Sequence, residues 1–170
     1  MIPQTQGNIY WISAGDTYTI EGRTYSASND HDGLSPERAL RTIARGVALS
    51  TANVGDVIVL LNGAHSVTTT IAVDKAGITI TGIPRSAPLP RSRMNSGGAR
   101  NYTSVTTSEA TGIVFTVTVA DVEIAYLHLI PVAGGSCISA SNAADRLYVH
   151  DCTSLMSTAA NTATFGVTFP

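Results

Sequence analysis

The chain has 170 residues, of which 44% are hydrophobic and 13% are charged, and its formal net charge is −2 at pH 7. This length suits one domain with a sizeable core, and the charge excludes the basic stripe of a nucleic-acid-binding surface. No apolar run approaches the roughly 20 residues of a membrane span, so we expect neither nucleic acid nor a membrane as a partner.

The small charged share indicates an extended fold with an uncharged polar surface. A typical globular protein has about 25% charged residues, and here small or β-branched residues take their place. The N-terminus lacks the charged and apolar regions of a signal peptide. The two cysteines, Cys137 and Cys152, form no metal-binding pattern; a disulfide stays open, but we expect free core thiols. The sequence predicts no metal and no cofactor.

Residues 1–27 contain apolar side chains that precede any predicted core. Trp11 is the only tryptophan of the chain, and aromatic anchors of this kind are enriched at protein interfaces. The alternative for Trp11 is simple packing along the first strands. We expect residues 1–27 to form a contact or assembly segment.

A cluster of ionisable residues, Asp30, His31 and Asp32, comes next, between Asn29 and Gly33. Asn, Asp and Gly are turn formers, so local backbone hydrogen bonds explain the cluster without chemistry. A catalytic or calcium-binding role would need carboxylates that converge from elsewhere in the fold. We interpret the cluster as a turn.

Residues 35–49 are predicted to form one amphipathic helix. Ser35 is the expected N-cap, Pro36 suits the first helical position, and Glu37 lies in the positive first turn. An apolar stripe at three-and-four spacing would face the core. Its members are Leu40, Ile43 and Val47, with Ala44 and Ala48 beside them.

Short strands with period-two alternation follow the helix. The stretch "DVIVLL" at residues 56–61 predicts a buried strand, and "NGAH" at residues 62–65 predicts a turn. Further strands are predicted within 66–73, 76–83, 112–119, 120–130, 137–141, 145–155 and 165–169.

These strands repeat along the chain. One register aligns Ile80 with Ile124 and Val149, and with it Ile83, Leu127 and Cys152; a second aligns Ile113 with Ile138 and Val167. We read the step of 44 residues from Ile80 to Ile124 as two turns of a coil, and the step of 25 to Val149 as one turn. Such a period predicts a parallel β-helix; a β-sandwich with coincidental spacing is the alternative.

The order "SNDHDGLSPERALRTIARGV", "VGDVIVLLNGAHSVTTTIAV" and "AGITITGI" resembles the entry segment of pectin-lyase-like proteins, which include many phage tailspikes. The resemblance covers residues 29–83, with His65 where an aromatic side chain is usual. It implies an all-β, right-handed, single-stranded parallel β-helix over residues 28–170, with an N-terminal amphipathic capping α-helix. It is nearly silent on function, because this architecture serves lyases, hydrolases, adhesins and virion parts alike.

Two features depart from a plain β-helix. Residues 84–110 predict a long projecting loop with four arginines, which either contacts an acidic protein surface or glycan or is merely solvated. The C-terminal end looks uncapped, with Phe165, Val167 and Phe169 bare, so we expect another chain or further residues to cover it. The arginines of the loop are Arg85, Arg91, Arg93 and Arg100.

The later strands place polar and aromatic side chains on one outward face. Two carboxylates and two imidazoles on adjacent turns could catalyse, bind a metal or line a sugar groove. An ordinary polar outer face is the preferred interpretation, so no catalytic residue is assigned. The candidate glycan-facing residues are Glu123, Tyr126, His128, Tyr148, His150 and Asp151.

The resemblance, the low surface charge and the missing catalytic set together predict a non-enzymatic phage virion protein, assembled in the host cytoplasm. A head decoration (cement) protein bound to a capsid protein is the first expectation. A tailspike or fibre that binds host surface polysaccharide is the alternative, and a polysaccharide lyase or hydrolase is the rival from the enzyme class. The resemblance also implies a homotrimer of side-by-side coils.

Overall fold

Short strands make up most of the regular structure. The computed structural model describes residues 7–83, 103–132, 135–154 and 167–168. The N-terminal part contains β1 (Ile9–Ile12), the antiparallel hairpin β2 (Thr17–Ile20) and β3 (Arg23–Ser26), a 3-10 helix (Pro36–Arg38) and α1 (Ile43–Leu49). The strands that follow are β4 (Val57–Leu60), β5 (Gly63–Val67), β6 (Ile71–Val73), β7 (Thr79–Gly82), β8 (Thr103–Thr107), β9 (Phe115–Val117), β10 (Glu123–Ala125), β11 (His128–Ile130), β12 (Ile138–Ala140), β13 (Tyr148–His150), β14 (Thr153–Ser154) and β15 (Val167–Thr168).

The chain visits three parallel sheets in the same order four times. The first sheet has the order β1-β4-β7-β10-β13, the second β5-β8-β11-β14 and the third β6-β9-β12-β15. Each pass through the three sheets, which we call a circuit, contributes one strand to each sheet; the circuits start at β4, β7, β10 and β13. The chain is therefore an all-β protein with parallel sheets, as predicted.

Rows of like side chains fill the space between the sheets. In the first sheet, Ile58, Ile80 and Ile124 lie one above another in neighbouring strands and are fully buried. Phe115 and Ile138 form the corresponding row of the third sheet. Since side chains alternate between the faces of a strand, the strands turn alternate residues toward this core and the others outward.

The predicted register is correct in the first sheet, where Ile124 pairs with both Ile80 and Val149. The step of 44 residues is nevertheless one circuit and not two, because β7 and β10 are direct neighbours. In the third sheet, Ile138 pairs with Val167 as predicted, but its other neighbour is Phe115 instead of Ile113. The prediction for Ile113 was wrong by two residues.

The predicted helix is divided. The 3-10 helix ends at Arg38, Leu40 then pairs with Ile12 of β1, and α1 begins only after Thr42. Ser35 makes no side-chain capping bond, whereas the Thr42 hydroxyl accepts from the Arg45 N–H at 3.3 Å. The helix breaks because the backbone of Leu40 is used twice by β1: Leu40 N–H donates to Trp11 O at 2.8 Å, and Leu40 O accepts from Ser13 N–H at 2.9 Å.

The apolar stripe of this region still covers the first strands, as predicted. Leu40, Ile43 and Val47 are buried, whereas Ala44 and Ala48 are exposed. Gly46 takes the buried place beside Ile43, where its missing side chain lets Ile12 and Ile58 approach the helix. The seven-residue α1 is far too short to span a bilayer, and the described residues contain no helix that could.

Two predicted loops contain strand. Residues 63–65 of the predicted turn "NGAH" belong to β5, because His65 turns inward and is 4% exposed. Residues 103–107, at the end of the predicted loop 84–110, form β8 in the middle of the second sheet. Residues 84–102, with Arg85, Arg91, Arg93 and Arg100, lie outside the described residues, as do Phe165 and Phe169.

A left-handed backbone position recurs at the entrance to the first sheet. The residue two places before β4, β7, β10 and β13 has a positive φ in every circuit, and these residues are Gly55, Gly77, Asp121 and Arg146. Such a conformation costs non-glycine residues about 1–2 kcal/mol. In the last two circuits an ion pair between Arg146 and Asp121 joins the two strained positions.

Candidate functional site

Five of the six predicted glycan-facing residues come together around His150. Its Nε2–H donates to Glu123 Oε1 at 2.8 Å, and its Nδ1–H donates to Asp151 Oδ2 at 2.9 Å. The other oxygen of Glu123, Oε2, accepts from the Thr79 hydroxyl at 3.0 Å. Hydrogen bonds therefore connect circuits two, three and four on the outward face of the first sheet.

Two exposed tyrosines complete this group, which we call the His150 cluster (Glu123, Tyr126, Tyr148, His150 and Asp151). The ring of Tyr148 lies 4.6 Å from the His150 ring and is tilted by 33°. The ring of Tyr126 meets the same imidazole edge-on at 5.6 Å. Tyr148 is 61% exposed and Tyr126 is 41% exposed, so both present aromatic surface to solvent.

The corners of the chain explain why these residues converge. Tyr126 follows β10 and Asp151 follows β13, and both have a positive φ, 54° and 51°. The two residues hold equivalent places, where the chain leaves the first sheet for the second. Because the chain turns at these two residues, Tyr126 and Asp151 lie beside the first sheet and not in the second.

His128 lies away from the cluster, in the second sheet. The chain passes the corner at Tyr126, and His128 is the first residue of β11, paired with Ser104 and Thr153. Its Nδ1 lies 2.7 Å from the Thr153 hydroxyl oxygen, and partial burial lowers its pKa. The prediction treated residues 123–128 as one continuous strand, and the corner makes that wrong.

The cluster is an imidazolium held between two carboxylates. Both ring nitrogens must donate, because a carboxylate only accepts. The hydrogen bonds to Asp151 and to Glu123 accordingly raise the pKa of His150. With His150 protonated, the cluster carries a net charge of −1, and its carboxylates lie beside two aromatic rings.

The predicted turn at residues 29–33 has its expected form. The Asp32 carboxylate accepts from the Leu34 N–H and from Arg38 Nε, both at 3.1 Å, and these contacts lower its pKa. Asn29 Oδ1 accepts from the backbone N–H groups of Arg41 and Thr42. The side chains of Asn29 and Asp32 thus bond to the backbone of this segment, as the sequence indicated.

Other predicted residues are dispersed. Trp11 is half-buried in β1, at the far end of the first sheet from the His150 cluster. Cys137 and Cys152 are free thiols, as expected, and burial raises the pKa of both. Among the described residues, no three His, Cys, Asp or Glu side chains are arranged to hold a metal ion.

Sequence reasoning missed Tyr18 and Asn62, which line a groove with Trp11 between the β2–β3 hairpin and the first sheet. The signal that could have indicated Tyr18 is the alternation in "TYTIEGRTYS", which is typical of a hairpin. It lies within residues 1–27, which were predicted only as a contact segment.

Comparisons with protein-family models, with curated proteins and with solved structures found no match to this chain.

Proposed function

We propose that the chain is a right-handed parallel β-helix that serves as a non-enzymatic structural protein on a phage particle. The observation that carries this proposal is the order of the three parallel sheets, each of which receives one strand per circuit. It is the arrangement that the sequence resemblance implies. The right hand follows the general preference of parallel strand crossovers.

The chemistry of the His150 cluster supports a non-enzymatic role. A general base must offer a free lone pair and a general acid must offer a proton to the substrate. Both nitrogens of His150 face carboxylates, and Glu123 uses its two oxygens for His150 and Thr79. His150 and Glu123, the two groups best placed to exchange protons, are thus engaged with each other and with neighbouring side chains.

The role on the particle is head decoration, with three coils side by side and Trp11 at a contact between chains or with the capsid. Sedimentation velocity and multi-angle light scattering of the purified chain should give three times the 17.7 kDa chain mass. The Trp11→Ala variant should shift this trimer toward monomer, while Leu34→Ala, which removes an exposed apolar side chain, should not. A stable monomer that also fails to bind emptied phage heads would contradict both the trimer and the decoration role.

A second candidate function is binding of host polysaccharide, and the His150 cluster favours it. Tyr126 and Tyr148 present rings to solvent beside two carboxylates, which suits the apolar faces and hydroxyl groups of sugars. In surface plasmon resonance with capsular and lipopolysaccharide preparations, Tyr148→Ala should weaken binding at least tenfold. Leu34→Ala is the matched control on a different surface and should bind like the parent chain.

The same preparations test the enzymatic alternative. Incubation with the chain should release no reducing or unsaturated sugar ends, as judged by a reducing-end assay and by absorbance of unsaturated uronates. Cleavage that is lost in Glu123→Gln would replace the structural role with a depolymerase activity.

A further inference from the structure

A groove of about 470 Å³ lies under the β2–β3 hairpin, at the corner where the first sheet passes to the second. Its walls include Trp11 from β1, Thr17 and Tyr18 from β2, Pro36, and Asn62 after β4. None of the described residues that line it carries a charge. Its size lies within the range of small-molecule sites.

The hairpin wall is held in place by bonds to the segment before α1. The Ala39 N–H donates to the Tyr18 hydroxyl oxygen at 3.1 Å, and Arg41 forms an ion pair of 2.6 Å with Asp16 at the base of β2. The ring of Tyr18 also stacks on that of Tyr25 at 5.8 Å. A ligand would therefore meet a groove that is already formed, which lowers the entropic cost of binding.

Polar groups with unused capacity line this groove. The Tyr18 hydroxyl accepts from Ala39, so its own O–H can donate to a ligand. The carbonyl oxygen of Asn62 accepts from the Thr103 hydroxyl at 3.4 Å, which leaves the amide NH₂ for a ligand. Trp11 is half-buried and lines the groove.

These observations select the chemistry of the ligand. An aromatic face favours a ring with apolar C–H surface, and several donors and hydroxyls favour a ring that carries hydroxyl groups. No side chain among the described residues of the lining is cationic, which disfavours anions, because a carboxylate or phosphate would meet no counter-charge on these walls. We propose that this groove is a binding site for one neutral sugar ring, which stacks on Trp11 and receives hydrogen bonds from Tyr18 and Asn62.

The groove is distinct from the His150 cluster. Trp11 and His150 lie in the same outward row of the first sheet, at its two ends. Four strand spacings separate them, or about 19 Å. The site goes beyond the proposed function but shares Trp11 with the proposed assembly contact, so the sugar titrations are made at chain concentrations where sedimentation shows monomer. Their failure there would leave the assembly and polysaccharide experiments unaffected.

Trp11 gives this site its own reporter, since the chain has no other tryptophan. The probes are the methyl α-glycosides of glucose, galactose and mannose, N-acetylglucosamine, and sodium glucuronate as the charged counterpart. We expect a saturable change of tryptophan fluorescence with at least one neutral probe, at a millimolar Kd. Glucuronate should bind at least tenfold more weakly than that probe.

Variants locate the binding. Asn62→Ala should weaken the neutral probe about three- to tenfold, the loss expected for one hydrogen bond. Asn142→Ala removes an exposed amide outside the groove and should leave the Kd unchanged, and so should Tyr148→Ala in the His150 cluster. Trp11→Phe, followed by saturation-transfer NMR, should weaken binding while circular dichroism stays that of the parent chain.

Three results would overturn the proposal. The first is the lack of any saturable response to the neutral probes up to 200 mM. The second is an Asn62→Ala variant that binds like the parent chain. The third is loss of binding in Tyr148→Ala, which would assign the sugar to the other end of the sheet.

Discussion

At the scale of single residues, the buried carboxylate of Asp56 joins the N-terminal strand to the rest of the molecule. It is fully buried, and its two oxygens accept from the backbone N–H groups of Asn8 and Thr51, each at 2.6 Å. The Asp56 side chain therefore accepts hydrogen bonds both from the residue before β1 and from the chain after α1.

Asp56→Ala should lower the free energy of unfolding by about 3 kcal/mol, since two hydrogen bonds to a fully buried carboxylate would be lost. Urea denaturation followed by circular dichroism measures the change. The matched control is Asp74→Ala, whose carboxylate is exposed near Lys75; it should change stability by less than about 0.5 kcal/mol. Equal effects of the two substitutions would show that the Asp56 bonds do not matter.

His150 predicts a pH dependence with a definite sign. Its pKa is raised in the folded chain, so its contribution to stability is complete below the unfolded value of about 6.5. That contribution is lost as the pH rises through the folded pKa. The stability difference between the parent chain and His150→Gln should therefore shrink from pH 6 to pH 9. An NMR titration of His150 with a midpoint below 6.5 would contradict the arrangement.

His65 is the internal contrast for that experiment. Its ring is buried and its Nε2–H donates to Leu61 O at 2.9 Å, while burial lowers its pKa. The unfolded chain binds a proton more readily at this residue, so His65 makes the fold less stable as the pH falls. The two histidines thus titrate on opposite sides of the ordinary value.

At the scale of elements, α1 closes one end of the core. Ile43→Asp should prevent soluble folding, because an unpaired charge would be buried in the hydrophobic core. Ala44→Asp, one residue later and exposed, should fold with a melting temperature within a few degrees of the parent chain. Soluble expression and thermal unfolding followed by circular dichroism compare the two. A folded Ile43→Asp protein would show that α1 does not cap the core.

The elements also show how far sequence patterns reach. Period-two alternation correctly aligned Ile80, Ile124 and Val149. Ile113 and Phe115 are two residues apart, and alternation cannot distinguish a shift of two residues, so it did not reveal that β9 begins only at Phe115. The 44 residues between Ile80 and Ile124 equal two steps of 22, so a long insertion was counted as an extra turn. The helix pattern could not reveal that the Leu40 backbone is hydrogen-bonded to β1, since the two segments are far apart in the sequence.

The alternation of side chains along strands also predicted part of the candidate site. Glu123, Tyr148 and His150 lie at outward positions of aligned strands, and alternation alone places them on one face. The corner at Tyr126, which separates His128 from them, depends on a backbone angle that a Tyr seldom adopts. The groove at Trp11 forms because the β2–β3 hairpin packs beside the corner after β4. These segments are far apart in the sequence, so no local pattern predicts the groove.

At the scale of the whole molecule, stability is shared between neighbouring circuits. Ile80 lies in the middle of its row, between Ile58 and Ile124, whereas Val149 lies at the end of the row and is half-buried. Ile80→Ala should lower the free energy of unfolding by about 3 kcal/mol, and Val149→Ala by about 1 kcal/mol. Urea denaturation of both variants measures the difference. Equal losses would contradict the stacked arrangement.

The first two sheets advance by the same number of residues between circuits three and four, and this bears on how such a chain can change its length. Ile124 pairs with Val149, and His128 pairs with Thr153, a step of 25 residues in each sheet. The third sheet advances by 29, from Ile138 to Val167. A tandem duplication of one 25-residue segment would therefore insert a whole circuit and add about 4.8 Å of height without disturbing the old neighbours. In the new strand pair, Ile124 would stack on the duplicated Ile124 in the core. On the outward face, two Glu123 carboxylates would lie opposite each other, and their repulsion would lower stability. The length of the molecule could thus change during evolution in fixed increments of one circuit.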